Sequence, residues 1–290
     1  MTSRTLIAIW VCLPAFSLAD PLALRPEQTV QHMLDRWPIN RPLPVLSMEQ
    51  AYRYQENIVE LLEPHFGPRV GYKAALTSEA MQKRFRHDQP VLGIVLKEML
   101  LRDRVMLGRE FATRPMIEAD LMVMVKNESI NDAQTHEEVI KALESVHPII
   151  ELPDLVFMEG TELQPLWLTA VNAGARAAVI GDPHLINGDP AWIHRIANIR
   201  ASVMDKQGQV LSAGSSDRLL GHPLDVVLWI ANEVKQRGEL LKQGEVLWLG
   251  SMTDPLPIEF GESYQVLFTG MADYPVSLQV NFRRDAIPGR

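Results

Sequence analysis

Cysteine is nearly absent: Cys12 is the one thiol among 290 residues. The rest of the chain therefore has no disulfide staple, no sulfur ligand for zinc and no thiol nucleophile. Aromatic residues are sparse, at 7%, and are not interleaved with basic ones. That leaves no stacking platform along a cationic track, as nucleic acid would need. Positive charge is also short. Lys and Arg number 28 against 36 Asp and Glu, giving a formal net charge of −8. This balance argues against nucleic-acid backbones and anionic membranes as partners, though not against a small anion at a local positive site. The motifs G-x-G-x-x-G, G-x-x-x-x-G-K-[ST], H-E-x-x-H and G-x-S-x-G do not occur, so nucleotide cofactors, helical zinc sites and serine-hydrolase elbows have no support. The eight histidines are spread without metal-ligand spacing, and the 20 prolines and 17 glycines are scattered rather than gathered into a linker. What is present, 47% hydrophobic and 22% charged residues, is the balance of a globular protein that rests on its own core.

Only one stretch is long and apolar. Leu6 to Leu18 spans 13 residues behind Arg4, short of the roughly 20 that a bilayer span needs. Ser17-Leu18-Ala19 has the small-x-small pattern read by signal peptidase. The expectation is a signal peptide over residues 1–19, a mature chain starting at Asp20, and export to the periplasm or beyond, with no membrane contact after cleavage. A buried N-terminal helix is the alternative. Trp10 and Val11 stand where a lipobox before Cys12 would carry small residues.

Beyond residue 20 the pattern predicts one domain, residues 20–290, with a helical part over 20–70 and a β-rich part over 71–290. Glu27 to Trp37 reads as a short helix closed by Pro38. Ser47 with Gln50 caps a second helix bearing Ala51, Tyr54, Ile58 and Leu61, stopped by Gly67-Pro68. Thr135 with Glu138 caps a third, with Val139, Ala142, Leu143 and Val146 on its apolar face. A fourth runs from Pro223 to Arg237 and stops at Gly238. Strands are expected over Leu121–Val125, Ala177–Ile180, Val246–Leu249, Tyr264–Thr269 and Val276–Phe282, with a hairpin around Gln207-Gly208. Strands crowd the second half without βαβ alternation. The fold class is therefore α+β, with a curled and mostly antiparallel sheet.

The chemically informative feature is Glu118-Ala119-Asp120, directly before an apolar strand. Residues two apart on a strand share a face, so the two carboxylates point together beside core. Two like charges there are costly to bury unless a cation joins them. Oxygen-only ligands suit Mg²⁺, Mn²⁺ or Ca²⁺. A solvated strand start is the other reading of the same residues. Glu151 follows Ile149-Ile150 in a second apolar strand and could supply a third carboxylate. Lys73 is a single lysine in the apolar run 71–76, read either as a half-buried proton carrier or as a surface residue. Asp88-Gln89-Pro90 reads as a turn. Gly250-Ser251-Met252-Thr253 ends a strand with hydroxyls and free N–H groups, and suits either a carboxylate site or an ordinary turn.

Taken in order, these segments resemble the fumarylacetoacetate hydrolase superfamily, and within it the 2-keto-4-pentenoate hydratase and 4-oxalocrotonate decarboxylase group. The likeness runs from Gly71-Tyr72-Lys73-Ala74-Ala75-Leu76-Thr77-Ser78, Met81-Gln82 and Asp88-Gln89-Pro90 through Ile117-Glu118-Ala119-Asp120 and Pro148-Ile149-Ile150-Glu151. It continues through Asn172-Ala173 and Gly221-His222-Pro223 to Gly250-Ser251-Met252-Thr253. The resemblance implies a mixed β-roll flanked by helices, and oligomerisation. It also implies Mg²⁺ or Mn²⁺ held by Glu118, Asp120 and Glu151, with proton transfer by Lys73 and Asp88. Substrate contacts are implied at Leu76, Gln82, Asn172, Ser251 and Thr253. The implied reaction is metal-dependent addition of water to a 2-hydroxydienoate, the enol of a 2-oxo acid. Decarboxylation or C–C hydrolysis on the same scaffold, or binding of a 2-oxo acid without catalysis, are the alternatives. The chain departs from the group in two places. Asp120 stands in place of a glutamate, and Val171-Asn172-Ala173-Gly174 lacks the acid and hydroxyl usual around that asparagine.

Overall fold

The computed structural model describes residues 23–284; the expected signal peptide and its cleavage point lie outside the described residues. Two helices come first, α1 (Pro26–Asp35) and α2 (Met48–Phe66). Ser47 Oγ accepts from Gln50 N–H at 3.2 Å and opens α2; Gly67 closes it at φ +76°, a left-handed conformation that suits glycine. Then follow β1 (Arg69–Ala75), α3 (Glu79–Phe85), β2 (Val91–Leu96), β3 (Leu100–Arg102), β4 (Met106–Leu107) and β5 (Met116–Val125). After them come α4 (His136–Ala142), β6 (Leu143–Glu151), α5 (Pro165–Ala170), β7 (Ala178–Ile180), β8 (His184–Leu185) and α6 (Ala191–Ile196). The chain finishes with β9 (Arg200–Met204), β10 (Val210–Ser215), α7 (Pro223–Gln236), β11 (Val246–Ser251), β12 (Leu256–Pro257), β13 (Ser263–Thr269) and β14 (Val276–Phe282).

The larger sheet runs β2-β1-β11-β5-β6-β7-β3, with β12 on β5 and β8 on β6. The smaller runs β10-β9-β13-β14-β4. Most pairings are antiparallel, but β1·β11, β3·β7 and β4·β14 are parallel. The expected curled, mixed α+β architecture is what forms.

Two expectations shift. The helix capped by Thr135 ends at Ala142, and Leu143 and Val146 belong to β6. A strand buried on both faces is a near-continuous apolar run, which over a few residues also satisfies helical spacing. The strand expected from Leu121 begins at Met116, so both acids of the E-x-D pair lie inside β5.

Side chains cover the outer edge of β2 in place of a further strand. Tyr52 Oη accepts from Leu92 N–H at 3.0 Å, and Gln55 Nε2 donates to Leu92 O at 2.8 Å. Asn172 accepts from Ile94 N–H at 2.7 Å and donates to Ile94 O at 2.9 Å. An edge strand treated this way offers no template for further pairing.

Curvature is visible in one contact. Lys73 on β1 donates to Glu151 on β6, yet β11 and β5 lie between those strands. In a flat sheet their backbones would be about 14 Å apart, three spacings of roughly 4.8 Å. The sheet therefore bends into a half-barrel with Lys73 and Glu151 on the concave side. One row of cross-strand partners crosses this concave face: Gly93, Lys73, Trp248, Met122 and His147.

Candidate active site

Three acids and one lysine share the concave face of the half-barrel, near enough for their charges to interact. Glu118 on β5 stands directly opposite Glu151 on β6 in register, and Asp120 is one pleat repeat further along the same face of β5. Asp120 and Glu151 are buried, at 0% and 1% exposure, while Glu118 is half-buried at the rim. Lys73, also buried, donates through Nζ to Glu151 Oε1 and to Ala173 O, the latter at 3.1 Å. The lysine is thus turned inward, against the acids, rather than to the surface.

The surroundings set each group. Between Trp248 and Ser251, β11 slips register against β5, and this bulge turns Gly250 N–H to Asp120 Oδ2 at 3.1 Å. Gly250 sits at φ +98°, and a Cβ there would lie 2.2 Å from Thr77 Oγ1, so the position excludes larger residues. The other Asp120 oxygen accepts from Leu121 N–H. Gly93 serves in a similar way: a Cβ on it would come within 2.9 Å of both Asn172 O and the Lys73 stem.

Burial, reinforced by the Glu151 charge, raises Glu118 to about 8 and Asp120 well above the usual aspartate range; Lys73 pulls both back. These shifts have a consequence for the metal-free protein. A carboxyl whose folded pKa is raised keeps a proton that the unfolded chain has already released. Its stabilising contribution is complete below the ordinary glutamate value of 4.5 and is lost as pH rises through about 8. In EDTA, thermal stability should therefore fall between pH 5 and pH 9, and Mg²⁺ should flatten the slope. Scanning calorimetry checks this, and a flat profile in EDTA would contradict it.

Fully ionised, the three carboxyl groups against one lysine would leave two negative charges, all on oxygen; without a cation, Glu118 and Asp120 resist that ionisation. That donor set fits a hard divalent cation. Among the described residues no three such side chains already converge as a ligand set. Glu151 is turned to Lys73 and Asp120 to two backbone N–H groups, so binding a cation requires these side chains to reorient.

The remaining candidates fall in different places. Ser251 Oγ donates to Thr253 O at 2.6 Å, and its hydroxyl is also within hydrogen-bonding reach of Glu118. Thr253 Oγ1 accepts from Ala119 N–H at 3.0 Å, fixing the backbone between the two acids. Leu76 is buried at φ +58° against Val91, Leu168 and Ala173, and its carbonyl accepts from Gln82 Nε2 at 3.0 Å. Both polar atoms of Asn172 are engaged with Ile94, so in this conformation it positions Ala173 O for Lys73 rather than facing a ligand. Asp88 is not brought to the cluster. It is exposed in the bend between α3 and β2, where a carboxylate keeps its hydration, and among the described residues it has no hydrogen bond or ion pair with Lys73 or the acids.

Other contributors were not singled out from sequence. Asp254 adds to the negative field on Glu118 and is paired with Arg218 at 3.0 Å; its place directly after Gly250-Ser251-Met252-Thr253 was the available signal. Ala173 contributes only its carbonyl, which no residue-type pattern reveals.

No protein-family model matches the chain. Among curated proteins, it is 28% identical to the 2-hydroxyhexa-2,4-dienoate hydratase of Comamonas testosteroni over 86% of this chain and 90% of that protein. It is 24% identical to 2-keto-4-pentenoate hydratase 1 of Dechloromonas aromatica (strain RCB), covering 81% and 88%. Among solved structures, the 4-oxalocrotonate decarboxylase from Pseudomonas putida G7, complexed with magnesium and adipate, superposes with a TM-score of 0.76 at 22% identity, covering 89% of this chain and 95% of that one. The fumarylpyruvate hydrolase from Pseudomonas aeruginosa, in complex with Mn²⁺ and pyruvate, gives 0.57 at 13% identity, covering 75% and 90%.

Proposed function

We propose, starting from a chain with the fumarylacetoacetate-hydrolase-like fold and dienoate hydratases among its relatives, that this protein is a metal-dependent hydro-lyase. It would add water to a 2-hydroxydienoate such as the enol of 2-keto-4-pentenoate, giving a 4-hydroxy-2-oxo acid. The observation that carries the reading is the inward-facing Lys73 bonded to Glu151, with Glu118 and Asp120 on the same face within reach of its charge.

Glu118, Asp120 and Glu151 would hold Mg²⁺ or Mn²⁺, which when bound supplies Lewis acidity at a carboxylate and the adjacent 2-oxo oxygen. The net reaction moves the enol proton from O2 to C5 and then adds the elements of water, hydroxyl to C4 and proton to C3. Lys73 is the proton carrier that this chain places at the acids. In the metal-free protein Glu151 and Ala173 O hold its ammonium; with Glu151 turned to a cation, Ala173 O would remain to fix the point at which a proton leaves or returns to Nζ.

Incubation with 2-hydroxypenta-2,4-dienoate and Mg²⁺ tests the proposal. Loss of dienol absorbance with formation of 4-hydroxy-2-oxopentanoate is expected. Release of CO₂ from 4-oxalocrotonate without hydration would move the assignment to a decarboxylase, and saturable binding with neither product would leave a non-catalytic binder.

Export is part of the same proposal. The n-region Arg4, the apolar run to Leu18 and the Ser17-Leu18-Ala19 site support it. Among the described residues no helix is long and apolar enough to cross a membrane. Mass spectrometry of the native protein should find Asp20 as the first residue; an intact Met1 would overturn the export reading.

A further inference from the structure

We propose that Trp248 is a positioning residue of this site: its indole N–H donates to a water lodged beneath Asp120 and, through that water, steadies the carboxylate. Trp248 is fully buried on β11, and its Nε1 has no hydrogen-bond partner in the structure. Buried donors are nearly always paired, with protein or with ordered water. The indole therefore needs an acceptor that is not a protein atom.

Topology narrows the place of that acceptor to the concave face. The cross-strand partners of Trp248 are Lys73 on one side and Met122 on the other. Partners in register share a face, so the indole stands on the concave floor, on the strand between the lysine and the acids. Asp120 is two residues from Met122 and faces the same way. The cross-strand partners of Trp248 are Lys73 and Met122, and those of Asp120 are Ile149 and Ser251; of these only Ser251 carries a side-chain oxygen, and it is engaged with Thr253 O. Asp120 accepts one backbone N–H on each oxygen, from Leu121 and Gly250. A carboxylate oxygen can accept two bonds, so each retains capacity. A water between the indole and Asp120 would have a donor on one side and an acceptor on the other, the partners that a buried water requires.

The inference rests on the functional reading in one respect: Asp120 matters because that reading makes it a cation ligand. Groups that orient a metal-binding side chain typically change affinity about ten- to a hundredfold. In Trp248→Phe, which keeps a ring and removes the donor, the Mn²⁺ dissociation constant by calorimetry should rise about tenfold with the circular dichroism unchanged. In the ¹⁵N-labelled wild-type protein, the indole resonance missing from the Trp248→Phe spectrum should shift on Mg²⁺ saturation. A dissociation constant within twofold of wild type, or an indole resonance unmoved by Mg²⁺, overturns the proposal. If the variant does not fold, or if the wild-type protein binds no Mn²⁺ so that the functional reading itself fails, a high-resolution crystal structure of the wild-type protein decides. An ordered water bonded to both Trp248 Nε1 and Asp120 supports the inference; a dry indole ends it.

Discussion

Lys73→Met is expected to lower turnover by roughly 10³-fold, within the 10²- to 10⁴-fold range of a positioned proton-transfer group, while divalent-cation binding survives. Methionine fills a similar volume but carries no proton. The substitution also strips the Glu151 carboxylate of its counter-charge in a site where both side chains are buried. Breaking a buried pair by removing one partner costs about 3–5 kcal/mol. The variant should therefore melt well below wild type in EDTA and regain most of the loss in saturating Mg²⁺, since a cation can replace the missing ammonium as partner of Glu151. Steady-state kinetics and thermal melts with and without Mg²⁺ check both halves. Turnover near wild type would remove Lys73 from the chemistry, and a stability loss that Mg²⁺ fails to restore would separate Glu151 from the cation.

Glu118→Gln should weaken Mg²⁺ binding at least a hundredfold, in line with losing a charged ligand rather than a supporting contact. The fold should persist, because glutamine is nearly isosteric and Glu118 is only half-buried at the rim. Its stability in EDTA should hold up better than wild type at alkaline pH. The group whose raised pKa costs the folded state stability as pH rises toward about 8 is then gone, and with it the Glu118 repulsion on Glu151, while Asp120 still faces the larger Glu151 charge. Calorimetric titration and pH-dependent melts test this; undiminished affinity would exclude Glu118 as a ligand.

Local features of the site were legible in the sequence, and long-range ones were not. The E-x-D spacing alone places Glu118 and Asp120 on one face. That Glu151 stands opposite Glu118 depends on the register of β5 on β6, which hairpin and helix signals between them do not determine. The inward direction of Lys73 follows from the curl of the sheet, a property of all its strands together. Asp88 shows the converse failure. A turn signal locates a bend but not whether its acid points inward, and here the carboxylate stays in water. The hydroxyl of Thr253 suited an anion site by type and position, yet it is taken up by the Ala119 N–H. Among the helices, α2 and α7 carry caps and several turns of apolar spacing and were evident. The helices α3, α5 and α6 span only six or seven residues, too few for a period of 3.6 to declare itself, and α3 has no fully buried residue to mark a face.

The central claim is that Glu118, Asp120 and Glu151 close on one hard cation that a 2-oxo acid also ligates. Crystals soaked with Mn²⁺ and oxalate test it most directly, because manganese is located by its own anomalous scattering. The account predicts a single manganese peak bonded to all three carboxylates and to both oxalate oxygens of one edge, with Glu151 drawn away from Lys73. A site empty of manganese, with Glu151 still held by Lys73 while the metal binds elsewhere, would contradict it.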